Sequence, residues 1–140
     1  MSYKITELDG LLKNFEGDID ARMKQYEAKR KKLLTKADSL KDFANGHAYY
    51  GIHKADGGWY YREWAPGAEK MYFMGEFNDW NPTSHPMKKL DHGRFEIFLE
   101  GEDALWNGCL VKAVVIHDGK QLERIPTYAT RVVQDEETTL

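Results

Sequence analysis

A chain of 140 residues, 41% hydrophobic and 31% charged, has room for one domain with a helical appendage and enough apolar content for a core. The formal net charge of -3 gives no basic face for nucleic acid, no apolar run approaches the ~18 residues of a membrane span, and the start Met-Ser-Tyr-Lys-Ile-Thr-Glu lacks the layout of a signal peptide. The single cysteine, Cys109, excludes an internal disulfide and suits a reducing compartment, so the expectation is a soluble cytoplasmic chain with neither nucleic acid nor membrane among its partners.

Residues 6–34 have helical character. Thr6 and Glu7 can start a short helix carrying Leu8, Leu11, Leu12 and Phe15, and Gly17-Asp18 is expected as a break or cap before a second helix. In that helix Ile19, Met23, Tyr26 and Leu33 fall near one face, and Lys29-Arg30-Lys31-Lys32 suit its C-terminal dipole as a solvated basic run. A third helix is expected over 39–44, capped by Ser39 and stopped by Asn45-Gly46. The helical segment is therefore set at 1–45.

Beyond Gly46 the period changes. Strands are expected at 49–53, 58–64, 69–75, 94–99, 109–116, 120–124 and 130–133, at intervals typical of a sandwich over 46–133. Asp56-Gly57-Gly58 and His117-Asp118-Gly119 are hairpin-type turns, and Asp91-His92-Gly93 precedes a run in which Phe95, Ile97 and Leu99 alternate with Arg94 and Glu96. The run 109–116 is apolar on both phases except at Lys112, as in a central strand with one cation turned to solvent or a ligand. The acidic end, 134–140, looks like a linker cut short.

Catalytic chemistry finds little support. His47, His53, His85, His92 and His117 show no metal-ligand spacing, and no phosphate-cradling glycine motif occurs, so neither metal nor cofactor is expected. The carboxylates of Glu63, Glu76, Asp79, Glu96 and the Glu100, Glu102, Asp103 cluster would sit on a small sandwich, where a deep hydrolytic cleft is hard to build. Binding is better served. A sugar ring has apolar C–H faces fringed by hydroxyls, and its site needs flat aromatic platforms with polar groups at the edge. Trp80 and Phe77 are flanked by Asn78, Asp79 and Asn81, Trp64 is followed by Pro66, and Arg94 and Lys112 can donate hydrogen bonds. Trp59, Tyr61, Tyr72 and Phe95 are expected in the core, whereas the residues alone leave Trp64 and Trp80 open between core and site.

Three motifs in order, 62–69 (Arg-Glu-Trp-Ala-Pro-Gly-Ala-Glu), 73–82 (Phe-Met-Gly-Glu-Phe-Asn-Asp-Trp-Asn-Pro) and 88–96 (Lys-Lys-Leu-Asp-His-Gly-Arg-Phe-Glu), resemble the N-terminal part of the 1,4-α-glucan (glycogen) branching enzymes. The segment 124–136 is similar to the stretch leading towards that family's catalytic barrel, and residues 3–45 resemble its helical extension. The resemblance implies a mainly β fold, an immunoglobulin-like sandwich of the family 48 carbohydrate-binding kind preceded by helices. It implies an α-1,4-glucan (glycogen, starch or maltooligosaccharide) as ligand, and as second partner a (β/α)8 barrel of the same polypeptide. That barrel holds the aspartate nucleophile and glutamate acid/base of a retaining mechanism, so no catalytic residue is expected within these positions. In relatives, oligosaccharide is contacted in a groove between the helical segment and the sandwich, and the residues matching those contacts are Trp64, Pro66, His92, Gly93 and Arg94. Relatives commonly have tyrosine where this chain has His92, a smaller platform. A second surface, resembling that of the glycogen-binding modules of kinase β subunits, implies Trp80 and Lys112, although Lys120-Gln121 stand where those modules have a further tryptophan. A structural docking module that stabilises the barrel and binds no sugar is the rival expectation, and a glycogen-targeting scaffold like the kinase β subunits is a third, which the helical N-terminus fits less well than it fits branching enzymes.

Overall fold

The computed structural model of the chain describes residues 3–134, so the expected linker lies outside the described residues except for Gln134. The chain divides into two units, Met1–Asn45 and Gly46–Leu140.

In the first unit, helix α1 (Lys4–Leu8) leads into a 3-10 turn, Gly10–Phe15, and then helix α2 (Glu16–Leu33). Gly17-Asp18 does not break the path: α2 begins at Glu16 and runs through both residues. Glu16 and Asp18 occupy the first turn, where carboxylates favour the positive end of the dipole, while Arg30, Lys31 and Lys32 occupy the last. Tyr3 donates its hydroxyl to Asp20 Oδ1 at 2.9 Å, and Asp20 pairs with Lys24 one turn on at 2.6 Å. Helix α3 (Leu40–Phe43) has the expected cap, with the Asp42 N–H donating to Ser39 Oγ at 3.1 Å.

The second unit opens with a single helical turn, α4 (Gly46–Tyr49), closed by a hydrogen bond from the Tyr50 N–H to the Gly46 carbonyl at 2.7 Å. Helix α3 stops before Asn45 as expected, but this further helical turn follows it, so the first strand starts later than expected. Gly51, at φ +95°, redirects the backbone into that strand. Among the described residues seven strands follow: β1 (Gly51–Ala55), β2 (Gly58–Trp64), β3 (Lys70–Gly75), β4 (Lys88–Lys89), β5 (Arg94–Glu100), β6 (Val111–His117) and β7 (Lys120–Arg124). They form two antiparallel sheets, one in the order β1-β2-β5-β4 and the other β3-β6-β7. Both hairpin turns form where expected; in the second, Asp118 (φ 49°) and Gly119 (φ 69°) are both left-handed, which matches the twist of β6 and β7.

Side chains alternate across each strand, so Tyr61, Phe95 and Leu99 from one sheet meet Met71, Phe73 and Ala113 from the other. Tyr61 and Phe73 rings lie 4.6 Å apart at the centre of this core. The result is an immunoglobulin-like sandwich in a mainly β chain. Two further expected strand assignments are corrected. Residues 130–133 are irregular, and Cys109 and Leu110 precede β6 rather than belong to it. Glu76 draws that stretch aside: its Oε2 accepts the Leu110 N–H at 2.9 Å, and its own N–H donates to the Leu110 carbonyl at 3.0 Å.

Candidate functional site

At the end of β2, alternation turns Trp64 outward, and it is 58% exposed. Its partner across the sheet is Arg94, the first residue of β5. Exposed tryptophans normally rotate freely, but here the indole Nε1–H donates to the His92 carbonyl at 3.0 Å. The next residue repeats the tie, the Ala65 N–H donating to the Gly93 carbonyl at 2.8 Å. The two segments fit closely. A Cβ added to Gly93 would come within 2.5 Å of Pro66 Cα, and Gly93 holds φ +74°, so no side chain is tolerated there. His92 is also left-handed (φ 56°), and its ring is almost wholly exposed.

Arg94 completes the corner. Its Nη2 pairs with Asp91 Oδ1, and its Nε donates to the Asp91 carbonyl at 3.3 Å. Hydrogen bonding to Arg94 holds the Asp91 carboxyl below its ordinary range and raises the guanidinium's pKa. The fold thus brings together all five residues of the first expected surface, Trp64, Pro66, His92, Gly93 and Arg94. Their arrangement is one flat indole face, a proline beside it and a rim of imidazole and guanidinium donors.

Behind the corner sits a residue that sequence reasoning treated only as a poor catalytic candidate. Glu63 points into the sandwich and is 5% exposed. Its Oε1 accepts the Trp64 N–H at 3.1 Å; its Oε2 accepts the Tyr61 hydroxyl at 3.0 Å and the Thr127 N–H at 2.8 Å. A buried carboxylate with three donors is satisfied, and it fastens the strand end to the segment that follows β7. Burial and the Glu63 charge push the Tyr61 hydroxyl pKa upward.

The second expected surface is built differently. Phe77 is not displayed; it packs against Phe73 at 4.9 Å and His85 at 5.1 Å. Asn78 is an organiser of its loop, its Oδ1 accepting the Gly75 N–H at 2.9 Å while its Nδ2 faces the Asn81 carbonyl and Ser84 Oγ. Trp80, at φ 57° and 40% exposed, remains available, whereas Lys112 is engaged by Glu123 Oε2 at 2.9 Å.

The histidine spacing gave no reason to expect a metal, yet folding places Glu69, His117 and Asp118 together with ligand atoms all within 4.8 Å. His117 Nδ1 donates to the Gly67 carbonyl at 2.8 Å, leaving Nε2 toward Asp118 at 3.6 Å. These three exposed groups could hold a divalent ion; the distance in sequence between Glu69 and the adjacent His117 and Asp118 hid them.

Residues 49–129 match the family described as carbohydrate-binding module 48 (isoamylase N-terminal domain). Over 140 residues the chain is 36% identical to a 1,4-alpha-glucan-branching enzyme from Felis catus, covering 96% of this chain and 20% of that one. A 1,4-alpha-glucan-branching enzyme from Dictyostelium discoideum is 34% identical over 139 residues, with the same two coverages, 96% and 20%. The chain therefore spans about one fifth of the length of the curated relatives it matches. Among solved structures, a type I pullulanase from Bacillus subtilis complexed with maltose aligns with a TM-score of 0.46 and 16% identity, over 55% of this chain and 10% of that one.

Proposed function

This chain belongs to the carbohydrate-binding module 48 family, and on that premise we propose that it is the α-glucan-binding module of a 1,4-α-glucan-branching enzyme. The single observation that carries the reading is the pinned, exposed indole of Trp64. A glucose ring stacks its C–H face on a flat aromatic surface, and the gain is larger when the ring need not be ordered on binding. Trp64 is ordered beforehand by His92, and Pro66 extends the apolar floor. The His92 imidazole and Arg94 guanidinium are placed to meet the hydroxyl fringe, with Arg94 aimed by Asp91.

The module holds substrate and does not transform it. In this proposal the bond-making belongs to a catalytic barrel in the same polypeptide, which cleaves an α-1,4 link by a retaining mechanism and passes the chain to a 6-hydroxyl. Placing glucan beside that barrel raises its local concentration, the general benefit of a tethered binding domain. A role in making branched storage glucan follows, and with it a cytoplasmic placement supported by the unpaired thiol of Cys109.

Affinity electrophoresis of the folded chain in glycogen, with maltoheptaose as competitor, tests the proposal. Retardation that maltoheptaose relieves is the expected result, and free migration overturns it. A docking role without sugar is favoured by one observation, the exposed apolar residues Ile125, Val132 and Val133 after β7. It predicts free migration together with self-association in light scattering.

A further inference from the structure

The outer face of the four-stranded sheet carries more than the Trp64 corner. On β2, Gly58, Tyr60, Arg62 and Trp64 share that face, and the register sets the last three opposite Phe98, Glu96 and Arg94 of β5. Both strands are interior to the sheet, and β5 already gives Phe95 and Leu99 to the core on its other face. Packing therefore does not explain Phe98, which is 37% exposed.

Its surroundings are those of a platform. The Phe98 ring lies over Gly58, where an added Cβ would come within 2.8 Å of Phe98 Cζ. The Tyr60 ring adjoins it, centroids 4.7 Å apart and planes tilted by 47°. Between this pair and Trp64, the Arg62 guanidinium lies 4.1 Å from the Tyr60 centroid and 4.8 Å from that of Tyr49, and its Nε donates to Glu96 at 2.5 Å. The Arg62 guanidinium thus lies over both the Tyr60 and the Tyr49 rings and occupies a face of Tyr60, so the exposed apolar surfaces along this sheet face are Phe98, backed by Tyr60, at one end and Trp64 at the other, with the partly exposed Arg62–Glu96 pair between them.

We infer that Tyr60 and Phe98 form a second sugar subsite, so that one α-1,4-linked glucan chain seated on Trp64 continues along β2 and β5, its intervening hydroxyls meeting Arg62 and Glu96. Trp64 and Tyr60 are four residues apart on one strand, about 14 Å, a span beyond a single sugar ring. Only an oligosaccharide reaches both ends, and affinity should rise with chain length. This rests on the glucan-binding reading above.

Calorimetric titration of the whole chain with maltotriose and with maltoheptaose tests it. The wild-type chain should bind maltoheptaose more tightly than maltotriose. Tyr60→Ser with Phe98→Ser should lower maltoheptaose affinity roughly tenfold and leave maltotriose affinity within about twofold, the size expected from losing aromatic stacking. In the wild type, the amide resonances of Tyr60 and Phe98 should shift with maltoheptaose and stay in place with maltotriose, a readout that needs no variant to fold. Equal wild-type affinities for the two sugars, a double variant that keeps the chain-length gain, or unmoved resonances with maltoheptaose overturn the second subsite while leaving the Trp64 site standing. No binding of either sugar by the wild type overturns the glucan reading itself and this inference with it.

Discussion

The indole of Trp64 and the backbone carbonyl of His92, 28 residues apart in the chain, are joined by a 3.0 Å hydrogen bond that holds an exposed tryptophan flat at the end of a strand. An orienting bond of this kind makes the platform sensitive to changes that touch no sugar.

Gly93→Ala is the first such change. The added Cβ would meet Pro66 at 2.5 Å from a backbone at φ +74°, so clash and left-handed strain act together. A stability loss of about 1–3 kcal/mol is expected from strain of this kind, read as a lower urea midpoint with unchanged slope. Maltoheptaose affinity should fall too, because the Ala65–Gly93 and Trp64–His92 ties must shift.

Acid should loosen the rim. The Asp91 carboxyl titrates below its ordinary range because Arg94 bonds it, so its contribution is present above the unfolded value and is lost as pH falls through the lower folded value. Glucan affinity followed by tryptophan fluorescence should therefore hold from neutral pH down to about 4 and decline below it. Asp91→Asn should bind more weakly at neutral pH and lose this decline; an unchanged acid profile counts against the Asp91–Arg94 aiming role.

Alkali tests the buried network behind the platform. The Tyr61 hydroxyl has its pKa raised by burial and by Glu63, so its contribution is complete below the unfolded value near 10 and is lost progressively above it. Tyr61→Phe leaves Glu63 one donor short and should cost about 1–2 kcal/mol at neutral pH. Above pH ~10 the wild-type chain should lose urea stability faster than this variant, narrowing the gap between them.

Strand identity was legible wherever one face is buried and turn residues bound the run. β2 and β7 have the expected limits because Gly57 and Gly119 end their hairpins. Two of the strand misses turn on pairing that no local pattern reveals. Val132 and Val133 have strand chemistry but no paired strand among the described residues, and Leu110 is taken by Glu76, 34 residues earlier. For the candidate site, chemistry alone left Trp64 and Trp80 equal; the motif resemblance ranked them, and folding supplies a physical reason, the His92 tie. The link from Glu63 to Thr127 spans 64 positions and carries no local signal. Phe98 was readable, since the alternation that sends Phe95 and Leu99 inward turns it out.

The most direct test of the Trp64 platform compares Trp64→Ala with Trp80→Ala in maltoheptaose titrations of the folded chain. Trp64→Ala should weaken binding by roughly tenfold or more, and Trp80→Ala by less than about twofold, as expected when one ring stacks on sugar and the other does not. The reverse ranking, with Trp64→Ala binding like the wild type, would contradict the assignment and move the site to the Trp80 and Lys112 surface.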